Sequence, residues 1–172
     1  MPDHRVFLSI GSNLGGREEH LLGAVSLMEQ DPAVTVTGLS PLYETEPVGV
    51  STDRPFVNAV ARIEYGGSPR SLLRLCRRLE KGAGREGPGP DRPLDIDILL
   101  FGLGVTREED LVIPHPRLRE RLFVLRPLAD IDPDLVLPPD GAVVKELARS
   151  LTAGGWVRKV SDRARLTVRA PA

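Results

Sequence analysis

Two aspartates separated by one residue offer the clearest chemistry in the chain. Asp95 and Asp97 lie in the apolar run LDIDILLF, which predicts a β-strand. Because side chains alternate along a strand, the two carboxylates share one face, roughly 7 Å apart, and Ile96, Ile98 and Leu100 are expected to face the core. Adjacent carboxylates repel each other unless a cation lies between them, and Mg²⁺ prefers carboxylate oxygens together with water and phosphate. The pattern therefore predicts a metal site, although D-x-D pairs also occur on solvated edge strands.

Basic side chains are concentrated on both sides of this pair in the sequence. They are Arg85, Arg92, His115, Arg117, Arg119 and Arg121. Arginine forks match phosphate oxygens with paired hydrogen bonds, while a metal ion neutralises the bridging charge. Any single arginine is more commonly a plain surface charge. As a group, these residues favour a site for a metal-bound polyphosphate.

Two further features are weaker. The segment GSNLGG at 11–16 follows a predicted strand and precedes a predicted helix, as phosphate-binding loops do. It lacks the P-loop ending and the G-x-G-x-x-G spacing, so a structural turn is the better interpretation. The scarce aromatic residues Tyr43, Phe56 and Phe123 fit the core by default. Asn58 shares a strand face with Phe56 and offers both a donor and an acceptor to a planar heterocycle.

The elements that must position these residues alternate in the order strand, helix, strand, strand, helix, strand. The predicted strands cover 6–10, 34–39, 56–65 and 94–101, and the predicted helices cover 17–30 and 68–82. This order is typical of a ferredoxin-like α+β fold, in which two helices pack on one face of an antiparallel sheet.

The remaining segments are predicted to be connections. Residues 40–55 and 81–93 are rich in Pro and Gly and are interpreted as loops, and 102–172 forms a C-terminal extension with short elements. We expect one domain over 1–172, with a loosely ordered tail at 161–172.

Composition excludes several classes of protein. The 172 residues carry a net charge of −1, which gives no electrostatic case for a nucleic-acid or membrane partner. Cys76 is the only cysteine, so an internal disulfide or a cysteine-built metal site is excluded. No apolar run approaches the roughly 20 residues that span a bilayer, and residues 1–5 lack the layout of a signal peptide. We expect a cytoplasmic protein and, since no long exposed apolar helix stands out, a monomer.

Five segments of the chain carry a resemblance to a known family. They are LSIGSNLG, LYETEPVG, PFVNAV, PLDIDILLFG and VIPHPRLRERLFVLRPLADIDPD, spread in order from residue 8 to 134. Together they resemble the 6-hydroxymethyl-7,8-dihydropterin pyrophosphokinases, which are enzymes of folate biosynthesis. The resemblance implies a ferredoxin-like fold and the conversion of ATP and hydroxymethyl-dihydropterin to AMP and the pterin diphosphate. It also implies two Mg²⁺ ions that bridge the triphosphate, with ATP and hydroxymethyl-dihydropterin as the small-molecule substrates.

The same resemblance implies roles for individual residues. The metal ligands would be Asp95 and Asp97, and the catalytic residues would be Arg85, Arg92 and Asp97. The ATP-binding residues would be Leu73, Arg77, Arg92, Ile98, Leu111, His115 and Arg121. The pterin-binding residues would be Thr45, Pro47, Val48, Phe56, Asn58 and Phe123, with the two phenylalanines on either side of the ring.

One segment departs from the family's pattern. The family's loop before the D-x-D strand reads Gly-Arg-x-Arg and then Trp-Gly-Pro-Arg, whereas this chain reads GREGPGPDRPLDID. The second arginine and the tryptophan are absent, the loop is shorter, and Trp156 lies far away in the sequence. The resemblance therefore does not extend to how loop 81–93 closes over the site.

Two other functions remain open from the residues alone. Ferredoxin-like domains also serve as ligand sensors, but a sensor of neutral ligands has no need of two aspartates beside arginines. A nucleotidyltransferase could use the same acidic pair. It would release pyrophosphate from ATP, whereas the expected reaction releases AMP.

Overall fold

The computed structural model describes residues 4–161, so the predicted tail lies outside it except for Ser161. The strands are β1 (His4–Ser12), β2 (Val34–Leu39), β3 (Leu42–Thr45), β4 (Phe56–Tyr65), β5 (Asp95–Phe101), β6 (Thr106–Glu108), β7 (Leu111–Ile113), β8 (Val136–Leu137), β9 (Ala142–Val143) and β10 (Val157–Ser161). The helices are α1 (Arg17–Met28), α2 (Pro69–Gly82), α3 (Leu122–Ile131) and α4 (Val144–Ser150), with one 3₁₀ turn at Leu118–Glu120.

The main sheet is antiparallel throughout and runs in the order β10-β3-β4-β1-β5. β2 also pairs with β4, so that β2 and β3 lie end to end along the same side of that strand. The strand order and pairing confirm the predicted ferredoxin-like α+β fold. None of the helices formed by residues 4–161 has the length and apolar character needed to cross a bilayer.

The first core lies between one face of the sheet and helices α1 and α2. Val6, Leu8 and Ile10 of β1 alternate toward this face, as strand geometry requires, and are fully buried. α2 begins where the sequence predicts, because Ser68 and Ser71 form a reciprocal capping box with bonds of 3.0 and 3.1 Å. The two helices thus cover this face, as expected.

A second helical layer covers part of the opposite face, which the sequence did not predict. α3 and α4 pack there against Phe7 of β1 and Val60 of β4. These side chains point away from α1 and α2, so without the second layer they would be exposed to water. The C-terminal extension is therefore part of the hydrophobic core and not a peripheral addition to the fold.

A β-bulge changes which residues of β5 face each layer. Leu8 is paired with Ile98 but Phe7 with Leu100, so Leu99 is an extra residue in β5. Ile96 and Ile98 pack on the α1/α2 side as predicted. Leu100 is also buried in a core, as predicted, but the bulge turns its side chain to the opposite face of the sheet, where it packs against α3 and α4.

The predicted loop over 40–55 contains a strand. β3 occupies Leu42–Thr45, between β4 and the C-terminal strand β10. Leu42 and Tyr43 are buried, and the Tyr43 hydroxyl donates to the Asp130 carboxylate on α3. Partners that are distant in sequence therefore define this strand, which is why a local pattern did not reveal it.

Candidate active site

The floor of the site is the half of the second sheet face that α3 and α4 leave uncovered. Continuing the alternation from Phe7 and Val60, the side chains on this half belong to Ser9, Gly11, Phe56, Asn58, Asp95 and Asp97. The pairing of the strands brings these residues side by side. Gly11 lies between Asn58 and Asp95, and Ser9 is paired with Asp97. Small residues on β1 thus separate two carboxylates on one side from an amide and an aromatic ring on the other.

This floor belongs to a concave cleft, the kind of surface feature in which small molecules bind. One wall is the loop after β3, with Glu46, Val48 and Gly49. The opposite wall is the start of α3, with Arg121 and Phe123. We call this space the first cleft.

Both oxygens of Asp95 are engaged by arginines of the loop over 81–93. Arg85 Nη1 donates to Oδ1 at 2.8 Å, and Arg92 Nη1 donates to Oδ2 at 3.0 Å. Arg85 Nη1 also lies 2.8 Å from Oε1 of Glu80, which in turn accepts the backbone N–H of Ile96 at 2.9 Å. Burial raises the pKa of Glu80 despite these partners. The two arginines therefore hold Asp95 and Glu80 in a charge-balanced network.

Asp97 is less well compensated. Arg121 Nη1 lies 3.6 Å and His115 Nε2 3.9 Å from its Oδ2, both beyond hydrogen-bonding distance. Burial and the neighbouring Asp95 carboxylate raise the pKa of Asp97 to about 6. Its ionised form is therefore short of positive charge, as expected of a carboxylate that binds a cation.

His115 faces the same carboxylate as a neutral ring. Burial lowers the pKa of His115 to about 4, and the charge of Arg121 acts in the same direction. Its Nδ1 accepts the backbone N–H of Arg117 at 3.1 Å, so the proton of the neutral ring is on Nε2. The imidazole therefore offers a hydrogen-bond donor toward Asp97 without adding a charge.

Arg121 has donor capacity that the protein does not use. Burial lowers the pKa of its guanidinium, yet its Nε has no hydrogen-bond partner among residues 4–161. Its Cζ lies 5.5 Å from the centre of the Phe123 ring. A buried donor without a partner is costly, and a shift of the Arg121 side chain toward an anion in the cleft would relieve this cost.

The other side of the first cleft is arranged to bind a planar polar group. Asn58 is buried and donates from Nδ2 to Thr45 Oγ1 at 2.7 Å. This bond fixes the plane of the amide and leaves its Oδ1 available. A Cβ atom on Gly11 would come within 2.4 Å of that oxygen, so only glycine allows Asn58 its position.

A second cleft lies at the edge of β5. Its apolar lining includes Leu73 of α2, Ile98 of β5 and Leu111 of β7, and His115 also lines it. Asp97 lines both clefts. The acidic pair therefore lies where the two clefts meet.

Asn13 attaches the loop that carries Arg92 to the end of β1. Its Oδ1 accepts the Arg92 N–H at 2.6 Å, and its own N–H donates to the Arg92 carbonyl at 3.0 Å. Its amide also donates to Pro90 O and Asp91 Oδ1 at 3.3 and 3.1 Å. The segment 11–16 thus serves to anchor a loop, in agreement with its interpretation as a structural turn.

Most residues predicted for the site line one of the two clefts. The first cleft contains Thr45, Val48, Phe56, Asn58, Phe123, Arg92, Asp95, Asp97 and Arg121, and the second contains Leu73, Asp97, Ile98, Leu111 and His115. Three predicted residues line neither. Pro47 lies between two residues of the wall, Arg85 reaches the site through Asp95, and Arg77 pairs with Asp110 at 3.0 Å on the hairpin β6–β7.

Sequence reasoning missed several contributors. Gly11 was interpreted as the end of a strand, but β1 continues through Ser12. A glycine within an apolar strand often marks a close approach, and this signal was available. Glu80 and Glu46 gave no signal, because each was one acidic residue among many. Only the fold brings Glu80 to Arg85 and Glu46 to the cleft.

The acidic pair fits a magnesium site of one particular kind. Among residues 4–161, no group of three or more His, Cys, Asp or Glu side chains could enclose a metal ion. Asp95 and Asp97 alone supply fewer ligands than Mg²⁺ requires. They fit an ion that takes its other ligands from water and a polyphosphate, for which the guanidinium groups of Arg92 and Arg121 offer further contacts.

Comparison with known proteins gives a consistent set of relatives. The chain is 45% identical over 128 residues to the 2-amino-4-hydroxy-6-hydroxymethyldihydropteridine pyrophosphokinase of Bacillus subtilis, covering 73% of this chain and 76% of that protein. It is 38% identical over 156 residues to the protein of the same name from Methylorubrum extorquens, covering 90% of this chain and 98% of the relative.

Solved structures support the fold. A structure described as HPPK-DHPS in complex with substrates matches 87% of this chain with a TM-score of 0.70 at 13% identity. This chain spans only 43% of the length of that one. The family model for 7,8-dihydro-6-hydroxymethylpterin-pyrophosphokinase (HPPK) matches residues 7–133. With most of its 172 residues inside that match, the chain belongs to the 7,8-dihydro-6-hydroxymethylpterin-pyrophosphokinase family.

Proposed function

We propose that this chain transfers pyrophosphate from ATP to 6-hydroxymethyl-7,8-dihydropterin, with the heterocycle in the first cleft and the nucleotide in the second. This is the pyrophosphokinase step of folate biosynthesis, the activity of its family. The observation that carries the proposal is that Asp97 lines both clefts. A group transferred between ligands in these clefts must pass the acidic pair and its arginines.

The first cleft suits a pterin by its chemistry. Phe56 and Phe123 offer aromatic faces to a flat ring. Asn58, with its amide fixed by Thr45, offers hydrogen-bonding atoms to the ring's polar edge. A site that pairs buried polar groups with a substrate discriminates strongly against analogues that lack the matching atoms.

The second cleft suits an adenine base. Leu73, Ile98 and Leu111 form apolar walls, and His115 lies toward the acidic pair. A base held between these walls would direct its triphosphate toward Asp97 and Arg121. The location of the predicted ATP-binding residues supports this orientation.

Magnesium is the cofactor we propose, with two ions held by Asp95 and Asp97 under the phosphates. When bound, such ions neutralise phosphate charge and align the transferred group. The remaining work falls to residues of the chain. Arg92 and Arg121 stabilise charge on the non-bridging oxygens, and His115 donates a neutral hydrogen bond.

Arg85 and Arg92 each donate one hydrogen bond to an oxygen of Asp95 in the free protein, which leaves a second lone pair on each oxygen. A cation at Asp95 would therefore share these oxygens with the two guanidinium groups or displace them. An arginine that is displaced becomes free to pair with phosphate. We propose that Asp97, which faces both ligands, orients the hydroxymethyl group for attack on the β-phosphorus, and that closure of loop 81–93 excludes competing water.

Identification of the product from ATP tests the proposal. The purified chain is incubated with ATP, magnesium and 6-hydroxymethyl-7,8-dihydropterin, and the nucleotides are separated by chromatography. We expect AMP and a pterin diphosphate in equal amounts. Release of pyrophosphate would instead identify a nucleotidyltransferase, and absence of turnover with bound ligand would indicate a sensor.

Two predictions made from the sequence stay predictions. The cytoplasmic location can be checked by fractionation of the source cells. The monomeric state can be checked by size-exclusion chromatography with light scattering. Neither enters the argument for the reaction.

A further inference from the structure

We infer that a short segment near the end of the described chain, residues 154–158, sets the width of the first cleft and thereby the affinity for the heterocycle. We call it the C-terminal strap. It lies beyond the part of the chain that the family model matches, which ends at residue 133. The inference rests on the proposed function, because it assumes that the first cleft holds the pterin.

One end of the strap is bonded to the loop wall of the cleft. The backbone N–H of Glu46 donates to the Trp156 carbonyl at 3.1 Å. The backbone N–H of Trp156 donates back to Glu46 Oε2 at 3.2 Å. Glu46 thus uses both its backbone and its side chain to bind the strap, while it also lines the cleft.

Gly154, at the start of the strap, lies close to the opposite wall. A Cβ atom on Gly154 would lie 3.3 Å from the Glu120 carbonyl and 3.4 Å from the Leu122 amide nitrogen, so there is little space between the two segments. These atoms flank Arg121, whose side chain lines the cleft. Within three residues the strap is therefore bonded to one wall and lies close to the other, and it fixes the distance between them as a spacer would.

Steric constraints favour glycine at positions 154 and 155 of the strap. Gly154 and Gly155 have φ of 108° and 79°, in the left-handed region that L side chains rarely adopt. A Cβ atom on Gly155 would come within 2.7 Å of Glu46 Oε2, 3.0 Å of Glu46 Cβ and 3.3 Å of Val48 Cγ2. The carboxylate end of Glu46 can swing aside, but Glu46 Cβ and Val48 Cγ2 belong to the loop wall, so a side chain at position 155 displaces that wall by a few tenths of an ångström.

The strap is anchored through β10 to a strand that also reaches the cleft. Val157 is paired with Thr45 at the end of β3, and Arg158 Nη2 donates to Glu44 Oε1 at 2.6 Å. Thr45 is the acceptor that fixes the Asn58 amide. A shift of the strap would therefore disturb both the loop wall and the polar group predicted to bind the ring's edge.

Gly155→Ala tests this positioning role, and Gly141→Ala is its matched control. Gly141 has nearly the same φ, 77°, but it lies in the turn between β8 and β9, where a Cβ atom would meet only Val136 Cγ1 at 3.9 Å. Both variants bear the same kind of backbone strain. Only Gly155→Ala moves a wall of the cleft.

The measurements are the dissociation constant of 6-hydroxymethyl-7,8-dihydropterin with α,β-methylene-ATP present, that of the nucleotide alone, and the thermal midpoint. For Gly155→Ala we expect pterin binding about tenfold weaker, with nucleotide affinity unchanged and faster hydrogen exchange at the Glu46 amide. For Gly141→Ala we expect wild-type affinity for both ligands. Arg158→Ala, whose side chain is 70% exposed, provides a milder second variant with the same direction of change.

Three results would overturn the inference. Unchanged pterin affinity in both Gly155→Ala and Arg158→Ala would show that the strap does not set the cleft. Equal loss of pterin and nucleotide affinity would show a general structural role instead. Failure of the wild-type protein to bind the pterin at all would remove the proposed function and the inference together.

Discussion

At the scale of single residues, the ionisation of Asp97 makes the stability of the metal-free protein depend on pH. Burial and the Asp95 carboxylate raise its pKa from 3.8 to about 6, so the folded state resists its ionisation. The contribution to stability is complete below the unfolded pKa and is lost as the pH rises through about 6. Above that pH the ionised carboxylate destabilises the metal-free fold.

Asp97→Asn should therefore stabilise the metal-free protein above pH 6. We expect a gain of about 1 kcal/mol in the free energy of unfolding, reduced by solvent screening because the side chain is one-third exposed. Urea unfolding of the variant and the wild type as a function of pH measures this gain in unfolding free energy, which should vanish near pH 4. Asp110→Asn is the control. We expect it to lower the free energy of unfolding at neutral pH, since Arg70 and Arg77 lower the pKa of Asp110. A variant less stable than wild type at neutral pH would contradict the account.

Arg85 gives a prediction about rate rather than stability. Its guanidinium bridges Glu80 and Asp95, next to the phosphate path, without lining the first cleft. Arg85→Ala should slow the chemical step about a hundredfold, as loss of one charge-stabilising donor does, with little change in pterin affinity. Single-turnover kinetics measures the step. Arg78→Ala, which changes an exposed arginine on helix α2, serves as control. An unchanged rate for Arg85→Ala would show that Arg85 is only a surface charge.

At the scale of elements, the site depends on how two loops are attached to the sheet. Asn13 is buried and bonds to both the amide and the carbonyl of Arg92. Asp91 accepts from Asn13 and, at 2.8 Å, from Thr52 of the loop before β4. The end of β1 thus anchors loop 81–93. Asp91 joins loop 81–93 to the loop after β3, which forms one wall of the first cleft.

Asn13→Ala should release this attachment. Loss of the acceptor leaves the Arg92 N–H unpaired, at an expected cost of about 1–3 kcal/mol in unfolding free energy. Hydrogen exchange at Arg92 should accelerate and kcat should fall. Thr52→Ala removes an exposed bond to the same loop and should cost much less. Equal stability of Asn13→Ala and wild type would mean that the loop is held elsewhere.

Elements with a strong local pattern were predictable, and those defined by distant partners were not. β4 has the predicted bounds, Phe56–Tyr65, because alternating apolar residues mark one face along its whole length. α2 begins at the predicted cap. By contrast, β3 exists through its pairing with β4 and β10, and the Leu99 bulge depends on the register with β1. The same distinction holds in the site, where the D-x-D pair was evident and Glu80 was not.

At the scale of the whole molecule, the second helical layer both completes the core and forms a wall of the site. Leu125 of α3 is fully buried against the sheet. The same helix begins beside Arg121 and Phe123. Packing of α3 therefore determines where the aromatic ring of Phe123 and the arginine that we propose to bind phosphate, Arg121, are held.

Leu125→Ala should expose this dependence. We expect a loss of about 2–5 kcal/mol in unfolding free energy from the cavity it leaves. Leu27→Ala, at a half-exposed position on α1, should cost far less. Chemical denaturation compares the two. Similar losses in both variants would argue against a packed second core.

The central claim is that Asp95 and Asp97 hold divalent cations under a nucleotide's phosphates. Binding of Mn²⁺, followed by electron paramagnetic resonance with α,β-methylene-ATP present, tests it most directly. We predict that the wild type and the remote variant Asp140→Asn bind manganese together with the nucleotide, and that Asp95→Asn and Asp97→Asn lose this binding while remaining folded by circular dichroism. Wild-type manganese binding in both aspartate variants would contradict the claim.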